Sequence, residues 1–230
     1  MITSTSNREW APFNQDVSTN EGYLYTTNPP LSSRIASRRH SDAILAAADF
    51  RGKRVIDVGC GDGTLTVELF DSGRPASVYA FDPAPNAIEV ARKKAGARQI
   101  TFEVASAYEV PCEDKSFDIA QLRGVLHHMD RPVDALRESL RVASTIVVLE
   151  PNGYNLGLKM IEKLSKYHRE HDEKSYPAHQ LERWIRELGG RVEFRDWVCF
   201  VPYFCPDWLA RATKALEPLV ESVPLVDRVG

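Results

Sequence analysis

GKRVIDVGCGDGT, residues 52–64, runs from a short β-branched segment straight into three glycines at alternate positions. Arg54–Val58 sets Val, Ile and Val around a single acid, the composition of a strand buried on both faces. Gly59, Gly61 and Gly63 leave a turn free of side chains, so backbone can come close to a ligand there. TLTVELF (64–70) then reads as a helix whose first N–H groups and positive dipole end face that turn. In sheets that begin this way, ligands sit outside the carboxyl ends of the strands, where the winding reverses.

Upstream, a helix starts near Leu31 with Ser32 or Ser33 as its cap, and Ile35, Ile44, Leu45 and Ala48 fall roughly on one face. Downstream, SVYAFD (77–82) is a second strand, and PNAIEVARKKAG (85–96) is a helix with proline near its start and glycine past its end. ITFEV (100–104) and FDIAQL (117–122) read as strands three and four. A helix follows around Val133–Leu140, and TIVVLE (145–150) is strand five. Then come a helix from Leu156 to about His168, the glycine-closed helix HQLERWIRELGG (179–190), a strand-like RVEFRDWV (191–198), and a helix from Pro206 to about Leu219. Strands alternating with helices predict an α/β fold, a doubly wound and mostly parallel sheet with helices on both faces.

At 230 residues the chain has room for one good-sized core and falls short of two comfortable domains. We therefore expect an N-terminal lid or tail over residues 1–30 and a single domain over 31–230. Lysine plus arginine total 29 against 32 acids, a net charge of -3 that offers little nonspecific attraction to nucleic acid or anionic lipid, so no nucleic acid partner is expected. No apolar run is long enough for a membrane span, and no charged-then-apolar leader follows Met1. The four cysteines (Cys60, Cys112, Cys199, Cys205) form no CxxC pair, and the expectation is a reduced, cytoplasmic protein.

A dinucleotide site prefers GxGxxG, whereas Gly59, Gly61 and Gly63 give GxGxG after Asp57. About 25 residues beyond Asp57, Asp82 ends the second strand, placed for its carboxylate to accept both hydroxyls of a ribose. The acid-plus-GxGxG pattern resembles the S-adenosylmethionine site of the class I methyltransferases. The resemblance runs in order from Gly52 to Glu150, through Asp82, VASAYEVP (104–111), FDIAQLRGVLHHM (117–129) and EPNG (150–153). It implies a seven-strand-type sheet, S-adenosylmethionine as cofactor and methyl transfer as the activity. It also implies that Gly59, Cys60 and Gly61 line the methionine moiety with Asp57 beneath them, and that Asp82 holds the ribose with Pro83 beside the adenine. Ser106 and Ala107 would meet the adenine edge, and Leu122, Arg123 and Gly124 would form the floor near the sulfonium. The family often has an acid where Ser106 stands. The family's last antiparallel strand has no convincing counterpart after VEFRDWVCFVPYF (192–204).

The acceptor is read from the remaining motifs. Asn28-Pro29-Pro30-Leu31 resembles the amine-methylating Asn-Pro-Pro-Tyr motif but precedes the first strand and lacks the aromatic residue. Pro111-Cys112 resembles the cytosine-methylating Pro-Cys but precedes strand four. His127 and His128 follow strand four, where either could act as general base or simply hold the loop. His168, His171 and His179 could line a pocket, although on a polar helix they read more readily as a solvated face than as a metal site. Tyr23 and Tyr25 could fold over the cofactor or anchor the tail. The segment 152–177 is long for a connection and is expected to build the acceptor pocket. Phe200, Tyr203, Phe204 and Trp208 could wall an apolar substrate or pack in the core. The expected activity is methyl transfer to a small-molecule acceptor, at the oxygen of a sugar, lipid or secondary metabolite. Two readings compete with it. A noncatalytic binding module could keep the same pocket, and a nicotinamide oxidoreductase is opposed by the GxGxG spacing and the lack of a Tyr-x-x-x-Lys pair.

Overall fold

The computed structural model describes residues 17, 22–23, 26–27, 29–154, 174–198, 201 and 205–221, with backbone alone for 218–221. Five strands form one sheet in the order β3-β2-β1-β4-β5: β1 Arg54–Val58, β2 Ser77–Asp82, β3 Ile100–Val104, β4 Phe117–Arg123 and β5 Ala143–Leu149. Every pairing is parallel, with Val58 beside both Phe81 and Leu122. The chain winds outward from β1 to β3 and then crosses back to β4, so the winding reverses between β1 and β4. That is where a parallel sheet opens its ligand crevice.

Among the described residues six helices surround this sheet: α1 Leu31–Ala47, α2 Thr64–Gly73, α3 Pro85–Ala95, α4 Pro132–Val142, α5 Ala178–Glu187 and α6 Asp207–Glu221, the last packed on α1. Alternate residues of each strand feed two cores. Val55, Val78, Ala80 and Ile119 meet Ile44 of α1, Leu69 of α2 and Ile88 of α3 on one face. Ile56, Phe81, Ala120 and Leu122 meet Ala135 and Leu136 of α4 on the other, where Leu181 and Trp184 of α5 also pack. Phe81, Ile56, Leu122 and Leu136 are wholly buried, and each such side chain stabilises the fold by about 1.5–3 kcal/mol.

Two expectations are corrected. The N-cap of α1 is Pro30, and Ser32 and Ser33 lie inside the first turn with no side-chain cap. Arg191–Val198 forms no strand: Phe194 is 59% exposed, so the alternating pattern buries neither face and gains no ladder partner. Among the described residues the sheet has five parallel strands, the doubly wound core of the expected α/β fold, and no antiparallel member. The helix expected over Leu156–His168, with His168 and His171, lies outside the described residues, as do Tyr25, Phe200, Tyr203 and Phe204. No helix among the described residues is long and apolar enough to cross a membrane.

Candidate active site

The glycine turn sits over the carboxyl end of β1 and is tied to β2. The N–H groups of Gly59 and Cys60 both donate to the Phe81 carbonyl, at 2.9 and 3.0 Å. Gly61 holds φ at 55°, and a Cβ there would fall 2.8 Å from the ring of Tyr23. Gly63, at φ 74°, packs α2 on its neighbours so closely that a Cβ would meet Ala91 at 2.7 Å and Phe102 at 2.9 Å.

Asp82 ends β2 beside this turn. Its Oδ2 accepts the Gly61 N–H at 3.0 Å and its Oδ1 accepts the N–H of Ala84, the N-cap of α3, at 2.9 Å. One carboxylate therefore fixes the turn and the start of α3, and each oxygen keeps a lone pair for a further donor. Burial pushes the Asp82 pKa up to about 6 against those two hydrogen bonds, with Asp57 and Asp62 adding repulsion.

Asp57 lies below, 3% exposed. Its Oδ2 accepts from the Thr66 hydroxyl at 2.6 Å and its Oδ1 from the Gln121 amide at 3.1 Å, so β1 is bound to α2 and β4. Burial raises its carboxyl above the usual range, with the two bonds working against it. Asp62, inside the turn, accepts the Thr26 hydroxyl, the Tyr23 N–H at 3.3 Å and the Lys94 ammonium at 3.0 Å on Oδ2, and Oδ1 caps α2 through the Thr64 N–H. Burial opposes its charge, but Thr26 and Lys94 outweigh it and hold the carboxyl below its ordinary value. Tyr23 is thereby brought over Gly61, where it packs with Val17, Ala84 and Ala87.

Beyond β4, Leu126–His128 form one tight turn, and Glu150, next after β5, gathers it in. Glu150 Oε1 accepts the N–H groups of Val125 and Leu126, both at 2.8 Å, and Oε2 accepts that of His127 at 3.2 Å. The same Oε2 lies 2.7 Å from His127 Nδ1. A carboxylate can only accept, so Nδ1 carries the proton and Nε2 is the basic nitrogen. The His127 and His128 rings lie 3.8 Å apart.

Comparison with known proteins bears on the same residues. A family profile described as "Methyltransferase domain" matches residues 56–154, the span from β1 past Glu150. The chain is 33% identical over 176 residues to a demethylmenaquinone methyltransferase of Clavibacter sepedonicus, covering 66% of this chain and 71% of the relative. The chain belongs to the class I S-adenosylmethionine-dependent methyltransferases. It is also 31% identical to the mitochondrial ubiquinone biosynthesis O-methyltransferase of Schizosaccharomyces pombe, over 65% of this chain and 56% of that one. The match spans only 37% to 56% of the length of several curated relatives. A SAM-dependent methyltransferase of Thermotoga maritima shares the fold, with a TM-score of 0.63 at 21% identity over 79% of this chain and 80% of that one.

In this methyltransferase Gly59, Cys60, Gly61, Asp82 and Tyr23 meet at one place. The donor's chemistry fits it: a side-chain-free turn for the amino acid end and a carboxylate with spare lone pairs for sugar hydroxyls. Pro83 is half-buried beside Asp82. The Ala105 N–H donates to the Asp82 carbonyl at 3.3 Å, which sets Ser106 at the end of β2. The Ser106 hydroxyl accepts the Tyr108 N–H, whereas Ala107 turns into the core. Leu122 is fully buried and the Arg123 guanidinium binds Ser37 and Ser41 of α1, so as a floor these two residues present backbone only. Burial and the nearby Asp82 raise the Cys60 thiol far above its usual range, which leaves it neutral. His179 is held by Tyr154, and no cluster among the described residues has the makings of a metal site. Trp208 is 70% exposed, which corrects its reading as a core residue.

Four residues of the site escape a reading of the glycine motif alone: Asp62, Thr66, Gln121 and Glu150. Gln121 had a legible signal, an amide inside the apolar run of β4. Asp62 reads as a loop residue and Glu150 as the last residue of strand five, and only the fold shows how many donors converge on them.

Proposed function

We propose that this methyltransferase methylates a hydroxyl oxygen of a small-molecule acceptor, such as a sugar, a lipid or a secondary metabolite, with His127 as general base. The observation that carries the reading is the His127 Nδ1 to Glu150 Oε2 contact of 2.7 Å, which sets the proton on Nδ1 and makes Nε2 the basic nitrogen. S-adenosylmethionine supplies an electrophilic sulfonium methyl when bound. An alcohol keeps its proton at neutral pH, so an oxygen acceptor calls for such a base where an amine would not. The ubiquinone-biosynthesis relatives are named O-methyltransferases, which supports oxygen.

The donor pocket of this proposal is Gly59, Cys60 and Gly61 around the amino acid end, Asp57 beneath, Asp82 on the ribose, Pro83, Ser106 and Ala107 around the adenine, and the Leu122–Arg123 backbone below. Tyr23 covers the turn as part of a lid within residues 1–30, a role in which Tyr25 is its partner. His128, stacked on His127, supports the base. The acceptor lies against the segment 152–177. The ends of that segment are pinned by the Asn152–Tyr176 bridge and by Gly153, whose N–H donates to the Tyr176 carbonyl at 3.2 Å.

The test is release of S-adenosylhomocysteine with a panel of alcohols, phenols and amines, for the unaltered protein and for His127→Ala. Turnover is expected with hydroxyl acceptors, with kcat falling roughly 100-fold or more in the variant and donor affinity unchanged. Turnover confined to amines, or a kcat indifferent to His127→Ala, refutes the reading.

A further inference from the structure

Arg34 and Arg38 stand one turn apart on α1, both exposed, and among the described residues neither guanidinium meets a carboxylate. Arg38 lies four residues before Asp42, a spacing that allows an ion pair, yet none joins them. All three line a groove of about 380 Å³ between α1 and α2, as do Ser37 and Thr64. Each of those two hydroxyls accepts from a cation: Ser37 Oγ from the Arg123 guanidinium at 3.1 Å and Thr64 Oγ1 from the Lys94 ammonium at 2.6 Å. A hydroxyl has one proton, and among the described residues neither Ser37 nor Thr64 has an acceptor for it. Both are left to donate, polarised by the positive charge they receive.

The inner part of the groove has the opposite character. A recess of about 10 Å³, room for one water, shares Ser41 and Glu68 with it. Gln121 lines this recess at 2% exposure; its amide NH2 holds Asp57, and its carbonyl Oε1 has no partner among the described residues. Buried acceptors ordinarily have a donor, so this oxygen is an exception with a direction. Glu68 is half-buried and adds a carboxylate that no cation meets among the described residues. Ser41 stands one turn, about 6 Å, beyond Ser37 on α1. Donors at Arg34, Arg38, Ser37 and Thr64 are therefore followed, a turn further on, by acceptors at Glu68 and Gln121.

We infer that this groove is a second ligand site, built for the phosphate monoester of a small polyhydroxylated molecule. Two guanidiniums match the charge of a phosphate dianion, and hydroxyl donors on two facing helices suit a tetrahedral group better than a planar carboxylate. Hydroxyls on the body of the ligand meet Glu68 and the Gln121 oxygen, directly or through a water in the recess. α1 and α2 cover the face of the sheet fed by Val55, Val78 and Ile119, whereas the His127 turn packs through Leu126 into the opposite core. The groove therefore lies across the sheet from the proposed base. The inference depends neither on His127 nor on oxygen as the methylated atom.

Calorimetry in phosphate-free buffer tests it, with glycerol 3-phosphate, inorganic phosphate and glycerate titrated into the protein, alone and saturated with S-adenosylhomocysteine. Glycerol 3-phosphate is expected to bind in both states, about tenfold more tightly than either other ligand. Arg34→Ala/Arg38→Ala should weaken it roughly 30-fold, whereas Arg51→Ala, an exposed arginine in the turn before β1, should leave it unchanged. Thr64→Val should weaken it about tenfold and Thr64→Ser restore it, and Glu68→Ala should abolish the preference over inorganic phosphate. Arg34 and Arg38 are exposed and meet no carboxylate, so the double variant keeps the ligand-free Tm, and only the unaltered protein gains Tm from the ligand. No binding by the unaltered protein, equal binding by the double variant, or glycerate binding as tightly as glycerol 3-phosphate overturns the inference. Loss of binding on saturation with S-adenosylhomocysteine assigns the anion place to the donor and overturns it too. Should S-adenosylhomocysteine itself fail to bind, the donor-site reading fails on its own, and the titrations without it still decide the groove.

Discussion

Replacing Asp82 with asparagine separates what this residue does for the donor from what it does to the fold. In the folded protein its pKa stands at about 6 against an ordinary 3.8, a gap that corresponds to ~3 kcal/mol. The group binds its proton more tightly folded than unfolded, so its contribution is most favourable below pH 4 and is lost as pH rises through 6. About 1.4 kcal/mol of that loss falls between pH 5 and pH 8, and asparagine carries none of it. The amide can accept only one of the two N–H groups of Gly61 and Ala84, and the orphaned one costs about 1–2 kcal/mol at every pH. Urea denaturation of the ligand-free proteins should therefore find Asp82→Asn more stable than the unaltered protein by about 1–2 kcal/mol at pH 8. That margin should shrink by about 1.4 kcal/mol at pH 5. Donor affinity should move the other way. Sugar hydroxyls bind the ionised carboxylate, so S-adenosylhomocysteine should bind the variant roughly 30-fold more weakly at pH 8. The unaltered protein should itself lose affinity as pH falls through 6. A stability difference that does not vary with pH, or equal dissociation constants at pH 8, would refute the reasoning.

Two further perturbations test the neighbouring parts. Gly63→Ala forces a side chain into a left-handed turn and against Ala91 at 2.7 Å, so it should destabilise the protein by about 2–4 kcal/mol in urea. A loss under 1 kcal/mol would show that the turn relaxes freely. Asp62→Asn removes the charge that receives Lys94, Thr26 and the Tyr23 N–H, and should speed hydrogen exchange at the Tyr23 amide at least tenfold. An unchanged exchange rate would mean that Tyr23 is held by contacts other than Asp62.

The central sheet was legible because its strands are continuous apolar runs broken by glycine and proline, and each element from β1 to β5 lies where its pattern placed it. The glycine turn and the place of Asp82 at the end of β2 were legible for the same reason. The patterns failed where burial was not periodic. Ser32 and Ser33 look like a helix cap by composition, but the chain reaches α1 through Pro30, whose fixed φ starts the helix a turn earlier. RVEFRDWV alternates like a strand, yet Arg195 reaches out to Glu182 of α5 and no neighbouring strand offers a ladder. Leu122 and Arg123 carried a family role onto positions whose side chains the register sends into the core and toward α1.

The acids at the carboxyl end of the sheet divide by what remains of their accepting capacity. Asp57 is fully enclosed, with Thr66 and Gln121 on its two oxygens, and it serves β1, α2 and β4. Asp62 gathers Lys94, Thr26 and two backbone N–H groups, which saturates it as a clasp between the turn and residues 23–26. Glu150 takes three backbone N–H groups besides the His127 imidazole, so its carboxylate is solvated by the turn it closes. Asp82 likewise takes one donor on each oxygen, both of them backbone N–H groups, but it is less enclosed than Asp57 and stands beside the glycine turn. Burial that works against its charge is what a ligand with two adjacent hydroxyls would relieve. The burial that raises the Asp82 carboxyl therefore suits it, on this proposal, to grip a donor.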